Sequence, residues 1–106
     1  MLAEADAERQ ALPGAERVAL ANAIEKLNAL GDQLAYPHSS SVRGAQGLRE
    51  LRPRGGRCPW GAFYRRVGLA MVIAAIGPEA QADPRGFDRA VAAAGQRLSR
   101  WEHETR

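Results

Sequence analysis

The feature that most constrains the fold is an unbroken apolar run of eight residues, LAMVIAAI, at positions 69–76. The run is far shorter than the ~20 residues that span a bilayer. Gly68, directly before it, suits a tight hairpin turn, so the run is predicted to be a β-strand. Because this strand would be apolar on both faces, it is predicted to lie inside a sheet with another element packed over it.

The C-terminal segment supplies an element that can cover this strand. Asp83 and Pro84 have the chemistry of a helix N-cap followed by a first-turn proline. Apolar residues then recur at helical spacing, at Phe87, Val91, Ala94, Leu98 and Trp101. The pattern predicts a long amphipathic helix over residues 84–102.

The N-terminal third is predicted to form two helices. Residues 2–12 are rich in alanine and charge and carry a thin apolar stripe. Pro13 suits the start of a second helix, and Gly31 suits a left-handed cap at its end. Between them Leu20, Ile24 and Leu27 recur at helical spacing, which predicts a helix over residues 14–30.

The middle of the chain is predicted to hold a loop and two further strands. Residues 36–41, YPHSSS, have the turn chemistry of a surface loop. Residues 48–52 and 60–67 are predicted strands, separated by the turn-forming residues PRGGR at 53–57. The sequence therefore predicts one α+β domain over residues 1–106, with an N-terminal helical hairpin, a three-strand antiparallel sheet and a C-terminal amphipathic helix.

Cysteine usage and the N-terminus bear on the compartment and on metal sites. Cys58 is the only cysteine, so no intramolecular disulfide can form and no four-cysteine metal site exists. The first six residues are acidic and lack the basic segment of a secretion signal. We expect a cytoplasmic protein that does not bind a membrane, a metal or a cofactor.

Charge is distributed unevenly along the chain. Residues 1–32 carry a net charge of −3, whereas residues 43–66 carry seven arginines against Glu50 alone, a net charge of +6. Like charges at this density repel one another in the free fold. The cluster therefore indicates a surface that binds an acidic partner, which is either an RNA backbone or an acidic segment of a protein.

Several short motifs carry a resemblance to a known family. GLRELR at 47–52 and FYRR at 63–66 match two neighbouring strands, and IG at 76–77 with DPRGF at 83–87 matches the exit into a last helix. Upstream, LP at 12–13, IEKL at 24–27 and PHSS at 37–40 match a helical hairpin and its loop. With the order of the predicted elements, the chain resembles the RelE/ParE superfamily of bacterial toxins, in particular its HigB-like branch.

The resemblance implies a toxin that is held inactive by a cognate antitoxin, expected to be a small helix-turn-helix protein. RelE and HigB-like members cut mRNA in the ribosomal A site, so the first functional expectation is a ribosome-dependent endoribonuclease. The alternatives are a noncatalytic ParE-like toxin that inhibits gyrase, or an inactive relative that only binds its antitoxin.

The chain departs from the RelE nuclease pattern at the positions that handle the phosphate. Lysines of the first of these strands are replaced by Leu48 and Glu50, and an arginine of the next strand by Gly61. A basic pair after the last strand is replaced by Pro78 and Glu79, and a tyrosine of the last helix by Phe87. RNA cleavage through a 2′-OH needs a base, an acid and positive groups on the phosphate, and we expect arginine at position 61 to restore part of a phosphate clamp.

The residues that remain suited to such chemistry define the predicted site. Tyr64, Arg65 and His38 are the predicted catalytic residues, with Tyr64 either stacking on a base or lying half-buried on its strand. The predicted RNA-binding residues are five arginines of the cluster: Arg49, Arg52, Arg54, Arg57 and Arg66.

The family also has a strand before its helical hairpin, and here Met1 leads almost directly into helix. Unpaired backbone groups at a sheet edge invite strand addition. We therefore expect an open edge that pairs with an antitoxin strand or with a second copy in a homodimer.

Overall fold

A computed structural model describes residues 1–53 and 58–105. The helices are α1 (Ala3–Gln10), α2 (Gly14–Leu30) and α3 (Pro84–Glu104), and a one-turn 3-10 helix (Gly31–Gln33) follows α2. The strands are β1 (Ser39–Ser41), β2 (Arg49–Leu51), β3 (Trp60–Val67) and β4 (Ala70–Pro78), paired antiparallel in the order β1-β2-β3-β4. The predicted α+β architecture, with its helical hairpin, antiparallel sheet and C-terminal helix, is confirmed.

The helix limits follow from local chemistry. Pro13 precedes α2, and Gly31 ends it with a φ of 54°, in the region that favours glycine. Asp83 caps α3 because its carboxylate accepts a hydrogen bond from the backbone N–H of Gly86 at 3.0 Å. These are the residues from which the helix starts and ends were predicted.

The sheet separates two apolar cores. On one face α1 and α2 cover a cluster that includes Leu20, Leu27, Leu51, Tyr64 and Ile73. On the other face α3 covers a second cluster built around Phe63, Ala75, Ala94 and Leu98. The two faces therefore present different side chains of the same strands, and this alternation decides which predicted site residues meet.

The prediction that the apolar run lies inside the sheet is wrong, because β4 is an edge strand. Its burial comes from the helices: α3 packs on one face and α1 lies along the edge. The backbone N–H of Leu2 donates to the carbonyl of Ile73 at 2.9 Å, and Glu8 Oε1 accepts from the N–H of Ile76 at 3.1 Å. Arg97 Nη1 donates to the carbonyl of Ala74 at 3.0 Å. The short N-terminus was expected to leave a sheet edge open. At these residues of β4, however, the backbone groups of the edge have hydrogen-bond partners at the start of the chain, in α1 and in α3.

The serine run was predicted as a loop, and this prediction is wrong because the run is a β-strand. Ser39, Ser40 and Ser41 form β1 and pair with Leu51, Glu50 and Arg49 of β2. Three consecutive serines show no apolar alternation, so only pairing with β2 reveals the strand. The three-strand sheet predicted from sequence is therefore a four-strand sheet with β1 at its other edge.

Among the described helices, none combines the length and the apolar character that crossing a membrane requires.

Candidate ligand-binding site

A network of hydroxyl groups and one arginine lies on the α2 side of the sheet. Ser39 Oγ and Tyr64 Oη are 2.5 Å apart, and both residues are buried. Arg49 Nε donates to Ser39 Oγ at 2.9 Å, while Arg49 Nη1 donates to Ser41 Oγ at 3.0 Å. The guanidinium is thus held in one orientation by two serine hydroxyls.

Strand register explains why these side chains meet. Ser41 pairs with Arg49 across β1 and β2, and Arg49 pairs with Tyr64 across β2 and β3. Directly opposed residues of antiparallel strands point to the same face, so the three side chains form a row. Ser39, two residues before Ser41, lies on that face as well.

An open cavity of about 420 Å³ lies against this row. Tyr36, which is 75% exposed, lines it from the loop before β1, and Ser41, Arg49 and Tyr64 line it from the sheet. Asp32 lies at the cavity as well, where it forms an ion pair with Arg66. The cavity therefore combines serine hydroxyls, a fixed guanidinium and an accessible aromatic ring.

Arg49 differs from the arginines of β3 and from Arg52, which directly follows β2. Arg65 pairs with Glu102 at 3.2 Å, Arg66 pairs with Asp32, and Arg52 lies 3.6 Å from Glu50. No carboxylate of residues 1–53 or 58–105 lies within 4.0 Å of the Arg49 guanidinium. Its positive charge is therefore not balanced within the described part of the chain.

The structure does not bring the three predicted catalytic residues together. Tyr64 is 2% exposed and faces α2, whereas Arg65 points to the opposite face and contacts Glu102 of α3. His38 lines a neighbouring groove of about 570 Å³ with residues of α2 and with Arg52. The predicted RNA-binding residues divide as well: Arg49 lies in the cavity, Arg66 at its edge and Arg52 near Glu50, while Arg54 and Arg57 lie outside the described residues.

The positions at which the resemblance to RelE nucleases implies basic side chains lie close together, but on the face of the sheet that α3 covers. A Cβ atom on Gly61 would lie 2.9 Å from Glu50 Oε2. Arg52 connects Glu50 to Glu79, with N···O distances of 3.6 and 4.0 Å. Glu50 and Glu79 are 6% and 8% exposed, so this face holds two buried carboxyl groups where the resemblance implies basic side chains.

Burial raises the pKa of the Glu50 carboxyl; Arg52 opposes this effect, and Glu79 adds to it. Glu50 Oε2, Arg52 Nε and Glu79 Oε1 are buried and make no hydrogen bond within the described chain. The group is therefore a loosely satisfied ion cluster, which fits the sequence interpretation of Glu50 as an ion-pair partner of an arginine.

Sequence reasoning missed Ser39, Ser41 and Tyr36 as parts of a site. Each lies in the segment predicted as a surface loop, and serine carries no periodic signal. Their only sequence signal is a run of hydroxyl side chains shortly before the arginine-rich segment.

Comparisons of the chain with protein-family models, with curated proteins and with solved structures find no match.

Proposed function

We propose that this chain is the toxin-type component of a bacterial toxin–antitoxin pair, and that it acts in the cytoplasm by binding its target without cutting RNA. The order of helices and strands and the motifs along the chain support the first part of this proposal. Its partner would be a cognate antitoxin, a small helix-turn-helix protein.

The observation that carries the second part is the carboxyl pair on the α3 face. Catalysis of phosphodiester cleavage relies on positive groups around the phosphate, where charge develops in the transition state. Glu50 and Glu79 occupy positions that are basic in RelE nucleases, and both are buried. Negative charge there would oppose the approach of a phosphate, so ribosome-dependent mRNA cleavage is disfavoured at this face.

The state of Tyr64 supports the same conclusion. A general acid or base must lie within hydrogen-bond reach of the substrate atom that it serves. The Tyr64 hydroxyl is bound to Ser39 in the interior, and Arg65 lies on the other face of the sheet. A Tyr64–Arg65 pair is therefore poorly placed to act on one phosphate.

The test is induction of the chain alone in a bacterial host, with growth rate and the 5′ ends of cellular mRNA as readouts. We expect growth arrest without new mRNA ends, and we expect Tyr64→Phe to arrest growth as well as the natural sequence does. Co-expression of the neighbouring reading frame should relieve the arrest if that frame encodes the antitoxin.

Two outcomes would contradict the proposal. New mRNA ends at ribosomal A sites that disappear with Tyr64→Phe would show a nuclease that depends on this tyrosine. A chain that is folded and abundant in the cell but leaves growth unchanged would exclude a toxin and leave an inactive relative.

A further inference from the structure

We propose that the cavity beside β1 is a nucleotide site in which Arg49 and Ser41 bind a phosphate group and Tyr36 contacts the base. This inference concerns binding by the chain itself, and it holds whether or not the chain arrests growth. It places the ligand on the α2 side of the sheet, away from Glu50 and Glu79.

Arg49 is prepared to bind an anion. Its Nε and Nη1 atoms are fixed on Ser39 and Ser41, and Nη2 has no hydrogen-bond partner among the described residues. A half-buried guanidinium that has lost part of its hydration and has no carboxylate nearby gains most from an anion supplied by a ligand. Because two hydroxyls already hold its plane, little side-chain entropy is lost on binding.

Ser41 adds donors at the same place. Its Oγ accepts a hydrogen bond from Arg49, so its own hydroxyl proton is available to a ligand oxygen. The backbone of His38 and Val42 bonds to β2, so by strand alternation the N–H of Ser41 points away from the sheet. An oxyanion at the outer edge of β1 can therefore accept from the guanidinium, the hydroxyl and the backbone of one short segment.

Tyr36 selects a nucleotide among phosphate-bearing ligands. Its ring is exposed and lines the same cavity, and aromatic rings beside basic side chains stack on nucleobases of any sequence. A volume of about 420 Å³ lies within the ordinary range of small-molecule sites. Asp32 would oppose an anion, but Arg66 offsets its charge. An acidic peptide would use Arg49 without needing the ring, so the cavity favours a nucleotide.

The experiment is a titration of the purified full chain with small probes, in which binding is measured by calorimetry and by tyrosine fluorescence. The probes are a nucleoside 5′-monophosphate, the matching nucleoside, inorganic phosphate, and a short oligoribonucleotide with and without a 5′-phosphate. We expect the monophosphate to bind at least ~10-fold more tightly than the nucleoside or phosphate alone, since each lacks one of the two contacts. The two oligoribonucleotides distinguish a free nucleotide from the 5′ end of a strand as the source.

Variants assign the contacts. Arg49→Gln should weaken binding of the monophosphate at least ~10-fold, and Tyr36→Ala should weaken it by roughly 5- to 150-fold, the range of one stacking contact. Ser41→Ala changes an exposed side chain, so it should fold normally and bind more weakly. Arg85→Gln, which removes the same charge from α3, is the control and should bind as the natural chain does.

Three results would overturn the inference. These are no binding of any phosphate-bearing probe at millimolar concentration, nucleotide affinity in the Ser41→Ala and Tyr36→Ala variants equal to that of the natural chain, or tighter binding of an acidic peptide than of the nucleotide. Thermal melting of each variant separates lost binding from lost folding. Growth arrest by a chain that fails these assays would leave the proposed function standing, and binding without arrest would leave this inference standing.

Discussion

Glu50 shows what one buried carboxyl group does to the stability of this protein. Because burial raises its pKa, the folded chain binds the Glu50 proton more tightly than the unfolded chain does. The free energy of unfolding should therefore fall as the pH rises from the group's ordinary pKa of 4.5 through the raised value. We expect Glu50→Gln to remove this loss and to stabilise the fold at neutral pH, on the order of 1 kcal/mol.

The measurement is urea unfolding of both chains between pH 4 and 8, a window set around the ordinary carboxyl range. Glu25→Gln alters an exposed carboxyl group of α2 and is the matched control. A natural chain that gains stability over this window, relative to Glu50→Gln, would show that Arg52 outweighs burial.

Gly61 lies in a crowded position beside Glu50 and Leu51. The sequence led us to expect that arginine at this position would restore part of a phosphate clamp, and the crowding around Gly61 counts against that expectation. A Cβ atom there would lie 2.9 Å from Glu50 Oε2 and 3.1 Å from the carbonyl oxygen of Leu51. We expect Gly61→Ala to lower the free energy of unfolding by about 1–3 kcal/mol, as overpacking does, and Gly61→Arg to lower it further without raising growth arrest.

Denaturant unfolding measures this effect, and Gly95→Ala is its control. Gly95 lies within α3 with no atom within 4 Å of an added Cβ, so alanine there should stabilise by roughly 0.5–1 kcal/mol. Adding Glu50→Ala to Gly61→Ala removes one of the two close contacts. Additive losses in that double variant would contradict the proposed contact with Glu50.

At the scale of elements, α1 takes the place of a further strand beside β4, because it supplies hydrogen-bond partners to the edge of that strand. Glu8 accepts from the N–H of Ile76 and from Arg97, which also donates to the carbonyl of Ala74. We expect Glu8→Ala to leave the edge N–H of Ile76 unpaired, to destabilise the fold by about 1–3 kcal/mol, and to promote self-association through β4.

Light scattering and denaturant unfolding test this role of α1. Glu4→Ala breaks the exposed pair between Glu4 and Arg100 on the same two helices, and it should change stability and mass little. If Glu8→Ala stays as monomeric as this control, the edge does not depend on Glu8.

At the scale of the whole molecule, the arginine-rich segment offers less free charge than its sequence suggests. Arg52, Arg65 and Arg66 have carboxylate partners, whereas Arg43 and Arg49 have none among the described residues. Affinity for single-stranded RNA should follow a log–log salt slope of roughly −0.7 per phosphate contact. We expect Arg49→Ala to reduce this slope by about one contact, and Arg65→Ala to leave it unchanged.

Filter binding of a short oligoribonucleotide over a range of salt concentrations measures the slope. An equal reduction of the slope by Arg65→Ala would mean that the ion pair between Arg65 and Glu102 opens on binding. The arginines would then attract RNA through their summed charge and not through one fixed contact.

The fold was determined partly by the sequence alone and partly by contacts between distant residues. Periodicity, caps and turn residues along the chain determined α2, β3 and α3 nearly to the residue, because each depends on neighbours a few positions away. The strand nature of residues 70–76 was likewise predicted, although not that β4 would be an edge strand. The serine strand β1 was missed, because only pairing with β2 makes it a strand.

For the candidate site, the sequence by itself determined that arginines and Tyr64 lie on neighbouring strands. Only the tertiary structure decided that Arg49 faces Ser39 and Ser41, that Arg65 faces α3, and that Glu50 meets Glu79. The reason is physical: strand alternation sends adjacent side chains to opposite faces, and register across three strands fixes which distant residues become neighbours.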